Sequence, residues 1–278
     1  MYRILVPTEL TYLSSCALKL GLEIAKVAKA KIDVLSVVEP NFNHFMEEED
    51  QYSHDSMSSL KNIQLREDAR QKMHERTEEI TQWFPDQKIA PKIVFGNQIQ
   101  EMLKEVEKLS SNMVVLGADL FESSDKKTIE FLKQSAAPVL ALKCMISGLE
   151  KFKDIVFLAD PENDSPELIR HLKKLQDLLG AKLHVLRVNT PQNFLSPKKC
   201  SATLEQYASF HQLENMVLES FDATTEIQGL MAYGETVKNA FTAIGIHDRS
   251  FLQRLMTNNF KVEEVIAVSD NPVWTFKG

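Results

Sequence analysis

Carboxylates that could contact a small ligand stand directly after the first apolar run in each half of the sequence. Glu9 follows residues 2–7, and Asp160 follows residues 154–159. In an open α/β sheet the carboxyl ends of the strands border the ligand crevice, where an acidic side chain can accept hydrogen bonds from a ribose or an adenine amino group. The alternative is a loop carboxylate that caps the next helix, since Asp and Glu favour helix N-termini. Both interpretations stay open here.

The sequence carries none of the motifs that mark a common catalytic or metal centre. It has no GxSxG elbow, no GxxxxGK[ST] loop and no HExxH helix, and its histidines show neither HxH nor HxxxH spacing. Cys16, Cys144 and Cys200 stand far apart, with no CxxC pair. The acidic residues 47–50 are typical of a solvated loop. We therefore expect no enzymatic activity, no catalytic residue and no metal site.

Composition and charge indicate a globular protein of two ordinary domains. The chain has 278 residues, of which 44% are hydrophobic and 26% charged. A net charge of −7 argues against nucleic-acid binding, which depends on Lys and Arg. No apolar stretch is long enough to span a bilayer, and no secretory leader precedes the first apolar run. With an odd number of cysteines, these features predict a cytoplasmic protein that binds neither membrane nor nucleic acid.

The two halves of the sequence are repeats of each other. A constant shift aligns them without a gap over residues 4–40, so that Ile4 meets Ile155 and Pro40 meets Pro191. Later anchors recur with changed spacing, as insertions and deletions in loops would produce, and they include Pro138 and Pro272. We therefore predict two domains, residues 1–146 and 147–278.

Each half alternates apolar runs with amphipathic stretches, which predicts strands alternating with helices. Such an order requires right-handed crossovers and a parallel sheet covered on both faces. The predicted fold class is therefore α/β, with two tandem open, mostly parallel five-stranded sheets of the Rossmann-like type. The predicted strands are residues 2–7, 32–38, 88–95, 113–116 and Pro138–Lys143, then residues 154–159, 182–188, 216–221, 241–245 and Pro272–Phe276. A long helix is predicted from about residue 55 to residue 84.

The sequence resembles the universal stress protein family in its tandem form. The resemblance rests on Val6-Pro7 before an acidic residue, on the Ala30-Lys31 start of the second strand, on Gly117 after an apolar strand, and on the prolines that open the fifth strands. It implies a stress-response protein in which Pro138–Lys143 pairs with Pro272–Phe276 as an intramolecular pseudo-dimer. Trp274 and Phe276 would lie at that interface. A further homodimer, or another protein partner, is also implied.

In nucleotide-binding members of the family, a loop Gly-x2-Gly-x9-Gly-Ser/Thr cradles phosphates with its backbone amides. The first half keeps Gly117, but Leu120 stands at the second glycine position and Asp125 at the third, in a shortened loop. A carboxylate at that helix N-terminus would repel a phosphate. We therefore expect no nucleotide phosphates in the first half.

The second half keeps the loop length and more of the pattern. Gly245 survives, Asn259 stands near the third glycine, and His247 and Arg249 add positive charge. Asparagine tolerates positive φ better than most residues. The candidate site is therefore Asp160, Gly245, His247, Arg249 and Asn259, with weakly bound ATP, ADP or AMP as the ligand. The alternative is a degenerate loop closed by its own side chains, with no cofactor.

Two functions follow from these observations. The first is a non-enzymatic stress-response protein with two pseudo-symmetric domains and no intact ATP-binding loop. The second is an adenine-nucleotide sensor that binds one ligand in its second domain.

Overall fold

The computed structural model describes residues 1–8, 12–39, 51–117, 125–143, 148–247 and 262–277. Its first half contains β1 (Arg3–Pro7), α1 (Tyr12–Ala28), β2 (Lys31–Val38), α2 (Gln51–Trp83), β3 (Ile89–Phe95), α3 (Gln98–Leu109), β4 (Met113–Gly117), α4 (Asp125–Gln134) and β5 (Val139–Leu142). Its second half contains β6 (Asp154–Leu158), α5 (Pro166–Leu179), β7 (Lys182–Asn189), α6 (Pro197–His211), β8 (Met216–Asp222), α7 (Glu226–Thr236), β9 (Ala240–Ile246), α8 (Val262–Val268) and β10 (Val273–Lys277).

The strands form one ten-stranded sheet in the order β3-β2-β1-β4-β5-β10-β9-β6-β7-β8. Every neighbouring pair is parallel except β5 and β10, which are antiparallel. The predicted α/β class with five-stranded parallel halves is therefore confirmed. The two sheets are joined edge to edge into one.

The sequence repeat is reproduced in the strand register. Arg3 lies opposite Lys31 in the β1–β2 pair, and Asp154 lies opposite Lys182 in the β6–β7 pair. The shift that aligns the two halves sets Arg3 against Asp154 and Lys31 against Lys182, so the two pairs occupy equivalent positions in the repeat.

The two ends of helix α5 are fixed by local interactions. Ser165 caps α5 by accepting a hydrogen bond from the Leu168 amide, and Gly180 ends the helix at a φ of 57°.

A polar cluster occupies the same place in both halves but with different residues. In the first half Arg3 Nε lies 3.4 Å from Asp33 Oδ2 across β1 and β2. In the second half the equivalent residues are Asp154 and His184, 2.9 Å apart, and His184 Nδ1 continues to the Tyr233 hydroxyl at 2.8 Å. Burial raises the pKa of Tyr233 to about 12, so its hydroxyl keeps its proton at neutral pH. Both halves therefore place a polar pair at the same position in the sheet, but the residues that form the pair differ.

The two halves meet at the pairing of β5 with β10. Trp274 lies opposite Leu140, and Thr275 lies opposite Val139. The Trp274 side chain is fully buried in the larger hydrophobic core, as predicted for this interface. Phe276 stacks on His171 of α5, with ring centroids 4.4 Å apart. The predicted strand pairing within the chain is therefore confirmed.

Within the described ranges, no helix combines the length and the apolar character that a membrane crossing requires.

Replacing Trp274 with Ala should lower the free energy of unfolding by about 3–5 kcal/mol, because it leaves a cavity at the junction of the halves. Urea unfolding of the purified chain measures this change. The control is Phe210→Ala, since Phe210 is 76% exposed and its truncation should cost less than about 0.5 kcal/mol. Equal effects of the two substitutions would contradict the role given to Trp274.

Stability should fall as the pH drops from about 6.5 to about 4, in part because of His171. Burial, with Arg170 and Lys174 nearby, lowers the pKa of His171 from 6.5 to about 4. In that window the unfolded chain binds a proton that the folded chain does not, so acid favours unfolding. His171→Gln should flatten this part of the pH profile of the urea midpoint. His74→Gln, at an exposed position on α2, is the control. A profile unchanged by His171→Gln would refute the assignment.

Candidate ligand site

A cavity of about 470 Å³ opens at the carboxyl ends of β6, β7 and β9 in the second half. This is the edge of the sheet where an open parallel sheet offers a crevice for ligands. Both apolar and polar side chains form its wall. The lining residues are Leu158, Ala159, Asp160, Pro161, Glu162, Asn163, Arg187, Val188, Asn193, Leu195, Thr203, Glu226, Ile244, Gly245 and His247. Three of the five predicted site residues, Asp160, Gly245 and His247, therefore lie on one cavity.

Asp160 organises the loop that follows β6. Its carboxylate accepts a hydrogen bond from the Asn163 side-chain amide at 2.8 Å and one from the Glu162 backbone at 3.3 Å. Its carbonyl accepts from the amides of Asn163 and Asp164. The helix cap of α5 is Ser165, so Asp160 is not the capping residue that the alternative interpretation assumed. Asp160 is also one of the residues that line the cavity.

A buried carboxylate, Asp164, lies behind the cavity wall. Its Oδ2 accepts hydrogen bonds from the Asp160 amide at 2.8 Å and from the Tyr207 hydroxyl at 2.6 Å. Its Oδ1 lies 3.1 Å from His247 Nε2, within ion-pairing distance but not aligned as a hydrogen bond. Burial raises the pKa of Tyr207 well above its usual value, and the charge of Asp164 raises it further. Tyr207 therefore remains a donor to Asp164.

His247 and Gly245 fit together at the end of β9. The His247 side chain is 11% exposed and its ring faces Asp164. A Cβ at Gly245 would lie 2.6 Å from Leu168 Cδ2 and 2.9 Å from the His247 ring. Glycine at this position is therefore required by the packing of β9 against α5 and His247, whether or not a ligand is bound.

Arg187 lies on the cavity wall near the end of β7 and is held there by two asparagines. The Arg187 guanidinium donates to Asn189 Oδ1 and, at 2.7 Å, to the Asn193 carbonyl. Asn189 Nδ2 donates to Asp222 Oδ1 at 3.0 Å. The Asn193 side chain accepts from the Thr190 amide at 2.7 Å. This network fixes the turn between β7 and α6 and places a cation on the cavity.

The remaining predicted residues cannot be placed relative to this cavity. Arg249 and Asn259 lie outside the residues that the structure describes, as does Glu9 in the first half. Gly117 ends β4 and Asp125 begins α4, but the loop between them, including Leu120, is outside the described ranges.

Sequence reasoning missed Asp164, Tyr207 and Arg187. The repeat contained a signal for two of them, because the shift that aligns the halves sets Asp164 against Leu13 and Arg187 against Ser36. A charge that replaces an apolar or small residue in a repeat indicates a local function or a new polar contact. Tyr207 gave no such signal, since its helix lies beyond the gapless part of the alignment.

Across the described ranges, no cluster of three or more His, Cys, Asp and Glu side chains is arranged to hold a metal ion.

No protein-family model matches the chain, and no curated protein matches it significantly. Solved structures do match over its full length. One is a universal stress protein from Archaeoglobus fulgidus, with a TM-score of 0.66 and 17% identity, covering 99% of this chain and 96% of that one. Another is a candidate universal stress protein from Pseudomonas aeruginosa, with a TM-score of 0.58 and 16% identity, covering 100% and 93%.

The fold and the cavity define a doubly wound α/β protein with a crevice at the strand ends of its second half. More particularly, the full-length matches show the tandem universal stress protein fold, as the resemblance in sequence predicted.

Replacing Tyr207 with Phe should lower the free energy of unfolding by about 1.5–3 kcal/mol, because it removes a hydrogen bond to a buried carboxylate. Chemical denaturation at pH 7 measures the change. Tyr2→Phe is the matched control, since the Tyr2 hydroxyl makes no hydrogen bond within the described part of the chain. A loss no larger than that of the control would show that the Tyr207–Asp164 contact contributes nothing.

Proposed function

We propose that this chain is a non-enzymatic stress-response protein whose second half binds one small polar ligand. The observation that carries the proposal is the cavity at the ends of β6, β7 and β9. Its volume of about 470 Å³ lies within the range usual for small-molecule sites, about 300–1,000 Å³. Its wall joins apolar residues with a few fixed polar groups, which is the usual composition of such sites.

The polar groups of the wall support binding rather than catalysis. Asp164, the buried carboxylate beside the cavity, is engaged with Tyr207, the Asp160 amide and His247. A catalytic centre needs a nucleophile paired with a base and open to the substrate. In the described part of the cavity, the His247 ring lies instead against the buried carboxylate of Asp164.

An adenine nucleotide is the candidate ligand that the positions of Asp160 and Gly245 favour. Asp160 lies on the cavity at the carboxyl end of the first strand of the half, and a carboxylate there can accept hydrogen bonds from ribose hydroxyls or an adenine amino group. Gly245 lines the same cavity from the end of the neighbouring strand β9. ATP, ADP and AMP are therefore the first ligands to test.

We further propose that the protein acts in the cytoplasm and that a protein partner, or a second copy of the chain, responds to the bound ligand. A binding protein without catalysis needs such a partner to transmit its state. The burial of Cys16 and Cys200 as free thiols fits a reducing compartment.

Isothermal titration of the purified chain with ATP, ADP and AMP should give one binding site, and the ligand should raise the melting temperature by mass action. Asp160→Ala should weaken binding by about tenfold or more, because it removes acceptors for the ribose hydroxyls. Asp177→Ala, an exposed carboxylate near the end of α5, is the control.

Incubation with ATP and magnesium should release no phosphate above the buffer blank. Turnover of ATP would refute the non-enzymatic assignment. Absence of binding by all three nucleotides would remove the adenine-nucleotide candidate and direct the search to other small polar ligands.

A further inference from the structure

We propose that Arg187 forms an anion site at the β7 end of the cavity, so that the carboxylate or phosphate of a bound ligand lies against this arginine. The inference rests on the proposed ligand-binding function and adds the chemical class and the orientation of the ligand. It places the ligand's negative charge near the end of β7.

Arg187 is a cation on the cavity wall without a carboxylate partner. Its two hydrogen bonds go to neutral acceptors, Asn189 Oδ1 and the Asn193 carbonyl. No described carboxylate lies within ion-pairing distance of its guanidinium. A half-buried charge is costly unless it is paired, so a guanidinium held in a cavity favours an anionic ligand.

The guanidinium is held in place before a ligand arrives. Asn189 is itself fixed by Asp222, and Asn193 is fixed by the Thr190 amide, so both acceptors are anchored to the ends of β7 and β8. A guanidinium has five N–H donors in a planar fork that matches carboxylate and phosphate oxygens. The two hydrogen bonds to Asn189 and Asn193 leave other N–H donors of Arg187 for a ligand in the cavity. Because the guanidinium is already held in place, it loses little conformational entropy when a ligand binds.

The opposite end of the cavity is already occupied by an internal negative charge. Asp164, whose side chain is fully buried, stands at the N-terminus of α5 and pairs with His247. A second anion beside Asp164 would be repelled, and His247 already faces that carboxylate. Arg187 is the one arginine or lysine among the described lining residues, so it is the place on this wall where a ligand's anion would be attracted.

The rest of the described wall favours a ligand that also carries donors. Asp160, Glu162 and Glu226 also line the cavity, so its wall carries three carboxylates beside the arginine. Carboxylate oxygens accept hydrogen bonds from hydroxyl and amino groups. The structure thus indicates a small molecule with one anionic group and several hydroxyl or amino groups.

The test compares the wild-type chain with Arg187→Gln, Arg187→Lys and a control, Arg170→Gln. Arg170 lies on α5 and pairs with exposed Glu167, so its replacement changes the net charge equally without touching the cavity. Each protein is titrated with inorganic phosphate, succinate and neutral adenosine at constant ionic strength, by calorimetry and thermal shift. The first two probes distinguish phosphate from carboxylate recognition.

We expect the wild type to bind phosphate or succinate saturably, and Arg187→Gln to weaken that binding at least about tenfold. Arg170→Gln should bind the anion as tightly as the wild type does. The affinity of Arg187→Lys should lie between those of the wild type and Arg187→Gln, because lysine keeps the charge but lacks the planar fork of N–H donors. If Arg187→Gln does not fold, the comparison with Arg187→Lys decides, since an unchanged affinity there contradicts recognition by the fork.

Two results would overturn the anion site. One is equal affinity of the wild type and Arg187→Gln for the anion, which would leave the arginine as a clamp of the β7–α6 turn. The other is a wild type that binds neither anion. If that protein still binds adenosine, the proposed ligand-binding function stands without the anion site. If it binds no probe and no nucleotide, both proposals fail.

Discussion

The antiparallel pairing of β5 with β10 is the contact on which the rest of the architecture depends. All four described residues of β5 are buried, as are Val273, Trp274, Thr275 and Phe276 of β10. If the halves separated, each would expose an unpaired apolar edge strand, which is a site for aggregation. The pairing also reverses the strand direction between the halves. Because of this reversal, the carboxyl ends of the first-half strands and those of the second half lie at opposite edges of the sheet.

The two halves differ in their side chains while they keep the common fold. The register of β1 with β2 is repeated in β6 with β7, and both halves keep a polar pair across those strands. Arg3 and Asp33 form an ion pair, whereas Asp154 pairs with His184, whose other ring nitrogen contacts the Tyr233 hydroxyl. The strand pairing constrains where a side chain stands and not what chemistry it carries. Substitutions at these positions are therefore tolerated as long as each buried polar group keeps a partner.

The sequence predicted the fold well because periodicity and repetition report backbone structure directly. The strand edges differed from prediction by one or two residues, as at Asn189, Asp222 and Lys277, where each strand is longer than its apolar run. The residues of the candidate site were predicted only in part. Asp160 and His247 stand just beyond strand ends and Gly245 stands near the end of β9, so a pattern of strands can point to them. Asp164 and Tyr207 come from different helices or loops, and only the tertiary fold brings them within 2.6 Å. Nothing in their spacing could have shown that contact.

The position of Asp164 changes the electrostatic environment at the N-terminus of α5, beside the cavity of the second half. The amides at a helix N-terminus carry partial positive charge and commonly hold an anion. At α5 the carboxylate of Asp164 already supplies negative charge near that terminus, and hydrogen bonds from the Asp160 amide and Tyr207 compensate for its burial. The Asp164 carboxylate therefore occupies the electropositive environment that would otherwise stabilise an anionic ligand. The unpaired cation of the described wall lies across the cavity on Arg187, so the separation of these two charges sets a direction for any polar ligand that enters.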